Sequence, residues 1–146
     1  MTYIGVDYGD MRTGISIAPD GICAVPLTVI DSSCGRKKTA RAVAELVLQK
    51  NAGRIVVGYP LNMDGSKGKR VIVTEKFTAL LKAALDELSS DAVIDFCDER
   101  LTSKIAESEL ISAGVSLKQK GISDQLAAVT ILQNYIDSER NDKYEQ

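Results

Sequence analysis

The first thirty residues hold three short apolar segments separated only by short polar connections, and that spacing favours three neighbouring antiparallel strands. The first, Tyr3 to Tyr8, contains β-branched residues and stops at Gly9. After a polar turn, Asp10 to Thr13, Gly14 to Ala18 reads as a second strand, broken by Pro19-Asp20-Gly21, and Ala24 to Ile30 reads as a third. Past the polar, basic stretch Asp31 to Lys38 the apolar period lengthens, and Ala40, Val43, Ala44 and Val47 recur as they do on one face of a helix.

Strand and helix then alternate. Arg54 to Tyr59 predicts a buried strand stopped by Pro60, and the loop Leu61 to Gly68 leads into a long helix whose stripe is Val73, Phe77, Leu80, Leu81, Ala84, Leu85 and Leu88. Ala92 to Cys97 reads as a fifth strand ending in Asp98-Glu99-Arg100. A helix is expected from Thr102 to Ala113, then a basic loop, Lys118 to Gly121. A last helix starting near Ser123 or Asp124 buries Ala128, Val129, Leu132, Tyr135 and Ile136. The charged end, Asp137 to Gln146, is expected to fray. The pattern predicts an α/β domain with a mixed five-stranded sheet, the domain spanning 1–138 and a charged tail 139–146.

The chain has 146 residues and no histidine, which removes every histidine-based triad, proton shuttle and metal site. Any chemistry must run on carboxylates, lysine, hydroxyls, thiols or bound metals. Three widely spaced cysteines, Cys23, Cys34 and Cys97, form no paired motif and are expected to be reduced, mostly buried thiols. No apolar run approaches the ~20 residues of a membrane span, and no signal peptide is apparent, so a cytoplasmic location is expected. Net charge is −2 with a sequence pI near 5.2, so any nucleic-acid binding must use local basic patches and metal ions.

The carboxylates stand at telling places. Asp7 lies near the end of the first strand, and alternation puts Tyr3, Gly5 and Asp7 on one face. Asp98 and Glu99 end the fifth strand on opposite faces, so at most one enters a site shared with Asp7. Asp124 opens the last helix. Each also has an ordinary account: Asp7 as acceptor for the turn Gly9 to Thr13, the Asp98-Glu99 pair as a solvated strand end beside Arg100, and Asp124 as a helix cap. If the three converge, divalent cations must neutralise them. Two such ions about 3.5–4 Å apart activate a water and stabilise the leaving oxygen of a phosphodiester.

Basic residues flank the acidic ones. Arg12 lies in the loop after Asp7, Arg100 follows Asp98-Glu99, and Lys118 and Lys120 precede Asp124. The loop Tyr59 to Ser66, with Asn62 and Asp64, runs into Lys67, Lys69 and Arg70 at a helix start, which suits a phosphate cradle or an ordinary solvated helix end.

Four blocks carry a resemblance that extends over nearly the whole chain. They are Gly5-Val6-Asp7-Tyr8-Gly9 with Arg12 and Gly14 to Ala18; Val57 to Gly65, containing Pro60-Leu61-Asn62-Met63-Asp64-Gly65; Asp98-Glu99-Arg100-Leu101-Thr102-Ser103; and Lys120 to Asp124 running into Ala127 to Val129 and Ile131 to Gln133. In this order and spacing they resemble the YqgF/RuvX-type family of Holliday-junction resolvases and pre-16S ribosomal RNA processing nucleases. The resemblance implies a ribonuclease H-like fold with helices on both sheet faces. It also implies a hydrolase: a Mg²⁺- or Mn²⁺-dependent endonuclease whose metals are held by Asp7, Glu99 (or Asp98) and Asp124. Arg12, Arg100, Lys67, Lys69 and Arg70 would bind the nucleic-acid backbone, with Asn62, Asp64 and Lys120 beside them.

The implied partner is pre-rRNA, with the ribosome nearby, or four-way DNA, which calls for a homodimer rather than a monomer. Ser103 replaces the family's usual threonine, and Ile122-Ser123 stand where a basic residue is usual, which bears on a phosphate contact and not on the metals. Two other readings compete. Asp7-Tyr8-Gly9 is also similar to the phosphate loop of actin-like ATPases, which need two such domains. A non-catalytic binding module on the maturing ribosome would suit the acidic pI.

Overall fold

A computed structural model describes residues 1–98 and 120–144. Five strands, β1 (Thr2–Asp7), β2 (Arg12–Ala18), β3 (Val25–Asp31), β4 (Ala52–Tyr59) and β5 (Val93–Asp98), form one sheet in the order β3-β2-β1-β4-β5. The β1–β2 and β2–β3 pairs are antiparallel, while β4 lies parallel to β1 and to β5. The described residues include three helices, α1 (Arg36–Gln49), α2 (Lys69–Glu87) and α3 (Lys120–Tyr144). The meander and the parallel extension agree with the pattern read from the sequence. The segment expected to be helical from Thr102 to Ala113 lies outside the described residues.

Alternation along each strand divides the apolar side chains between two layers. Ile4, Val6, Ile15, Ile17, Ile55 and Val57 meet Val43 and Val47 of α1 and Phe77, Leu81 and Leu85 of α2. Each such fully buried aliphatic or aromatic side chain contributes about 1.5–3 kcal/mol. Tyr8 joins this layer by stacking on Phe77, ring centroids 4.3 Å apart. The other face packs Ala18 and Val56 against Ile131, Leu132 and Ile136 of α3. Phe77, Leu81, Ala84 and Leu85 of the expected α2 stripe are buried. Val71 and Thr74 extend it, while Val73, Leu80 and Leu88 sit at its margin.

The face toward α3 is built from residues with little side chain. A Cβ added at Gly5 would stand 2.8 Å from Leu132 Cβ and 2.9 Å from the Ala128 carbonyl oxygen; one at Gly14 would stand 2.0 Å from the carbonyl oxygen of Asp124. Between them Ser16 is fully buried and donates its hydroxyl to Ala128 O at 2.7 Å. Helix backbone thus lies directly on strand backbone.

Several boundaries move. β2 begins at Arg12, whose Cα pairs with Asp31, so Arg12 opens a strand and is not in a loop. α3 begins at Lys120, so Asp124 sits a full turn inside the helix and the capping account of it fails. Gly121 suggested a loop there, but one glycine costs a helix only about 1 kcal/mol and does not stop it. α3 also continues through Asp137 to Tyr144 where fraying was expected. Its far half is tied down: Arg54 Nη1 donates to Glu139 at 2.6 Å and to the Tyr135 hydroxyl at 2.8 Å, and Tyr3 donates to Glu139 at 3.1 Å. The cysteines do not follow expectation either. None is in a disulfide, but Cys23 and Cys34 are exposed because both fall in connections between elements, and Cys97 is only partly buried.

Two outcomes follow from this packing. Gly14→Ala drives a methyl into the backbone of α3 and is expected to lower stability by about 1–3 kcal/mol, read as a lower urea midpoint. Tyr135 is the second case: burial, and then the hydrogen bond it donates to Asp95, push its pKa well above the ordinary 10.0. The unfolded chain releases this proton near pH 10 while the folded protein keeps it, so stability is full below that pH and falls as pH rises past it. Urea midpoints compared at about pH 8 and about pH 11 should show the fall, and Tyr135→Phe should make it shallower.

Candidate active site

Asp7 is the last residue of β1 and is half-buried. Its cross-strand partner is Gly14, the residue on which the backbone of Asp124 rests. Gly5, two residues before Asp7, faces α3, so alternation places Asp7 on the α3 face as well. The structure therefore brings Asp7 and Asp124, 117 positions apart, to one rim of the sheet. Arg12 reaches the same place: its Nε donates to Asp124 Oδ2 at 2.9 Å, with the side chains 43% and 29% exposed.

Asp98 is directed elsewhere. It pairs with Tyr59, and Tyr59 belongs to the α2 face because its hydroxyl donates to Glu75 of α2 at 2.8 Å. Asp98 is exposed on that face, opposite Asp7. Glu99 and Arg100 lie outside the described residues. Among the described residues no three His, Cys, Asp or Glu side chains are grouped to hold a metal.

The basic positions separate into two kinds. Lys67 and Lys69 stay at the surface around the start of α2. Lys67 Nζ lies 5.9 Å from the centre of the Tyr59 ring and 3.6 Å from Glu75. The Tyr59 hydroxyl first, then the charge of Glu75, hold its pKa above the ordinary lysine value, so it stays cationic. Arg70 turns toward the β1–β2 connection: Nη2 donates to the Tyr8 carbonyl at 2.9 Å, and Nη1 stands 3.5 Å from Asp10. Lys120 provides the first residue of α3.

Asn62 and Asp64 are occupied within their own loop. Asp64 Oδ1 accepts from the Ser66 amide at 2.9 Å and the Ser66 hydroxyl at 2.6 Å, and the Asn62 amide group donates to Ser66 Oγ at 3.0 Å. Backbone bonds from Asn62 N to Ser66 O and from Gly65 N to Asn62 O close the turn. These side chains shape the loop.

Two contributors escaped the sequence reading. Gly14 appeared only as part of a strand, although its missing side chain seats α3. Ser32 lies in a stretch read only as polar and basic, yet it is buried against the turn that follows Asp7. A serine inside a polar, basic run carries no signal that would mark it.

The backbone arrangement has solved counterparts. Thermus thermophilus RuvC in complex with Holliday junction substrate superposes with a TM-score of 0.61 at 14% identity, covering 96% of each chain. Fowlpox virus resolvase in complex with its Holliday junction DNA superposes with 0.63 at 13% identity, covering 94% of this chain and 98% of that one. The fold is thus ribonuclease H-like, of the resolvase type. In sequence, the model of the RuvX family, described as Holliday junction resolvase, matches residues 1–138. A Ruminiclostridium cellulolyticum protein named "Putative pre-16S rRNA nuclease" is 38% identical over 139 residues, 94% of either chain, and a Chloroflexus aggregans protein of the same name is 37% identical over 142 residues, 96% of either. The chain belongs to the RuvX family of nucleases.

The Arg12–Asp124 pair is solvent-accessible, so it adds little to folding. Arg12→Gln should change stability by less than about 1 kcal/mol in urea titration. A larger loss would make the pair a structural clasp.

Proposed function

We propose that this protein is a divalent-metal-dependent endonuclease that hydrolyses phosphodiester bonds in the 5′ region of pre-16S ribosomal RNA, in the cytoplasm and in association with maturing ribosomes. The observation that carries the reading is the meeting of Asp7 and Asp124 across Gly14. Asp98 belongs to the opposite face, which favours Glu99, the alternative the family resemblance offers, as the third acidic position. Residues 1–138 form the nuclease domain, whose last helix continues to Tyr144.

The donor set fits a hard cation. Carboxylate oxygens without histidine or thiolate suit Mg²⁺ or Mn²⁺ better than a soft metal. Bound there, such an ion lowers the pKa of a water and offsets charge on the leaving oxygen. The chain itself holds and orients. Asp7 is fixed by the central strand and Asp124 by the seated helix, so both carboxylates are set before substrate arrives. Arg12, beside Asp124, is within reach of a phosphate drawn to that rim. Lys67, Lys69, Arg100 and Lys120, with the Asn62–Ser66 loop, are the further candidates that the family resemblance adds for contacts to the nucleic-acid backbone.

A second reading is cleavage of four-way DNA by a homodimer, favoured by the two fold neighbours bound to Holliday junctions. Purified protein should cut a pre-16S transcript in Mg²⁺ or Mn²⁺ and leave a synthetic four-way junction intact. Asp7→Asn and Asp124→Asn should each reduce the rate at least about a hundredfold, since each removes one metal ligand. Junction cleavage without RNA cleavage would exchange the two readings. Full activity of both variants would end the catalytic one.

A further inference from the structure

The turn between Asp7 and Arg12 is held from two sides by side chains remote in sequence. On one side Ser32, 2% exposed, donates its hydroxyl to the Gly9 carbonyl. The hydroxyl of Thr13, fully buried, lies 3.3 Å from Ser32 Oγ and 3.5 Å from the Gly9 amide nitrogen. The Ser32 amide itself donates to the Met11 carbonyl at 3.0 Å. On the other side, from α2, Arg70 donates to the Tyr8 carbonyl at 2.9 Å and stands 3.5 Å from Asp10. The carbonyls of Tyr8, Gly9 and Met11 are therefore all engaged by groups outside the turn. Buried hydroxyls and a guanidinium in such positions restrict the backbone, because each freed carbonyl would forfeit a hydrogen bond.

We infer that Arg70 and Ser32 are positioning residues of the active site: they clamp the Tyr8–Thr13 turn and so fix the relative placement of Asp7 and Arg12. The inference rests on the nuclease reading for what is being positioned. It gives Arg70 a different role from the phosphate contact that its place in a basic helix start suggests. An arginine that binds phosphate presents its fork outward, whereas here one nitrogen is committed to a main-chain carbonyl and another stands beside a carboxylate. Ser32 has no electrostatic route to substrate. It acts through the Gly9 and Met11 carbonyls and the Thr13 hydroxyl.

The test uses the full chain with Arg70→Gln and Ser32→Ala, and Lys69→Gln as a gauge of one lost phosphate contact. Nucleic-acid affinity is measured across salt concentrations. One lost phosphate contact flattens the logarithmic slope by about 0.9 on duplex or about 0.7 on a single strand, and Lys69→Gln should show such a change. Arg70→Gln and Ser32→Ala should keep the wild-type slope. Both should lose kcat by about tenfold to a hundredfold with KM little altered, the size typical when a group supporting a catalytic ligand is removed. Hydrogen exchange should quicken in the peptide covering residues 8–13.

A flatter slope for Arg70→Gln would restore it as a phosphate contact and overturn the inference. Unchanged exchange, or unchanged kcat despite faster exchange, would overturn it too. Should Ser32→Ala fail to fold, the half-exposed Arg70 still decides the outcome. Should wild-type protein neither bind nor cut nucleic acid, the nuclease reading falls by itself, and the exchange data still decide whether the clamp exists.

Discussion

The close seating of α3 on the sheet is the contact that the rest of the architecture depends on. Gly5 and Gly14 leave no side chain between strand and helix, and between them the buried hydroxyl of Ser16 donates to a helix carbonyl. A larger residue at any of these positions would lift the helix by a side-chain layer. Because β1 is the middle strand, that displacement would separate Asp124 from Asp7 while leaving the α1–α2 layer intact. One face of the sheet is thus an ordinary apolar core. The other doubles as the frame of the site.

The sequence was readable wherever periodicity expressed burial. Alternation in β1 assigned Asp7 and Gly5 to one face, and the α2 stripe picked out Phe77, Leu81, Ala84 and Leu85, because those patterns are the direct imprint of a two-layer fold. Boundaries were less legible. Gly121 looks like a breaker in isolation, but a helix packed along the sheet absorbs its small cost, so α3 starts early and Asp124 is not a cap. Contacts that join distant segments leave no local trace. Nothing near Arg70 says that it turns onto the Tyr8 carbonyl, and nothing near Arg12 says that Asp124 will meet it. Cys23 and Cys34 show the reverse error, where an average preference for burial was overridden by their place in connections between elements.

Charge is distributed with similar economy. A chain of net charge −2 has no general attraction for a polyanion, so the local placement of its cations is what counts. Arg12 is held beside Asp124, Arg70 beside Asp10, and Lys67 beside Tyr59 and Glu75. Such partners hold each cation in one orientation, and for Arg70 that orientation is toward the Tyr8 carbonyl and Asp10.

At the opposite end of α3, Arg54 ties Glu139 and Tyr135 to the sheet. Glu139 stands 15 residues beyond Asp124, about 22 Å along the helix axis. The helix therefore behaves as a rigid boom moored at its stern: over that length a swing of about 3° carries the bow, and its carboxylate, through about 1 Å. Displacements of that size are enough to cost a reaction about a hundredfold in rate. The placement of Asp124 thus depends in part on that distant mooring.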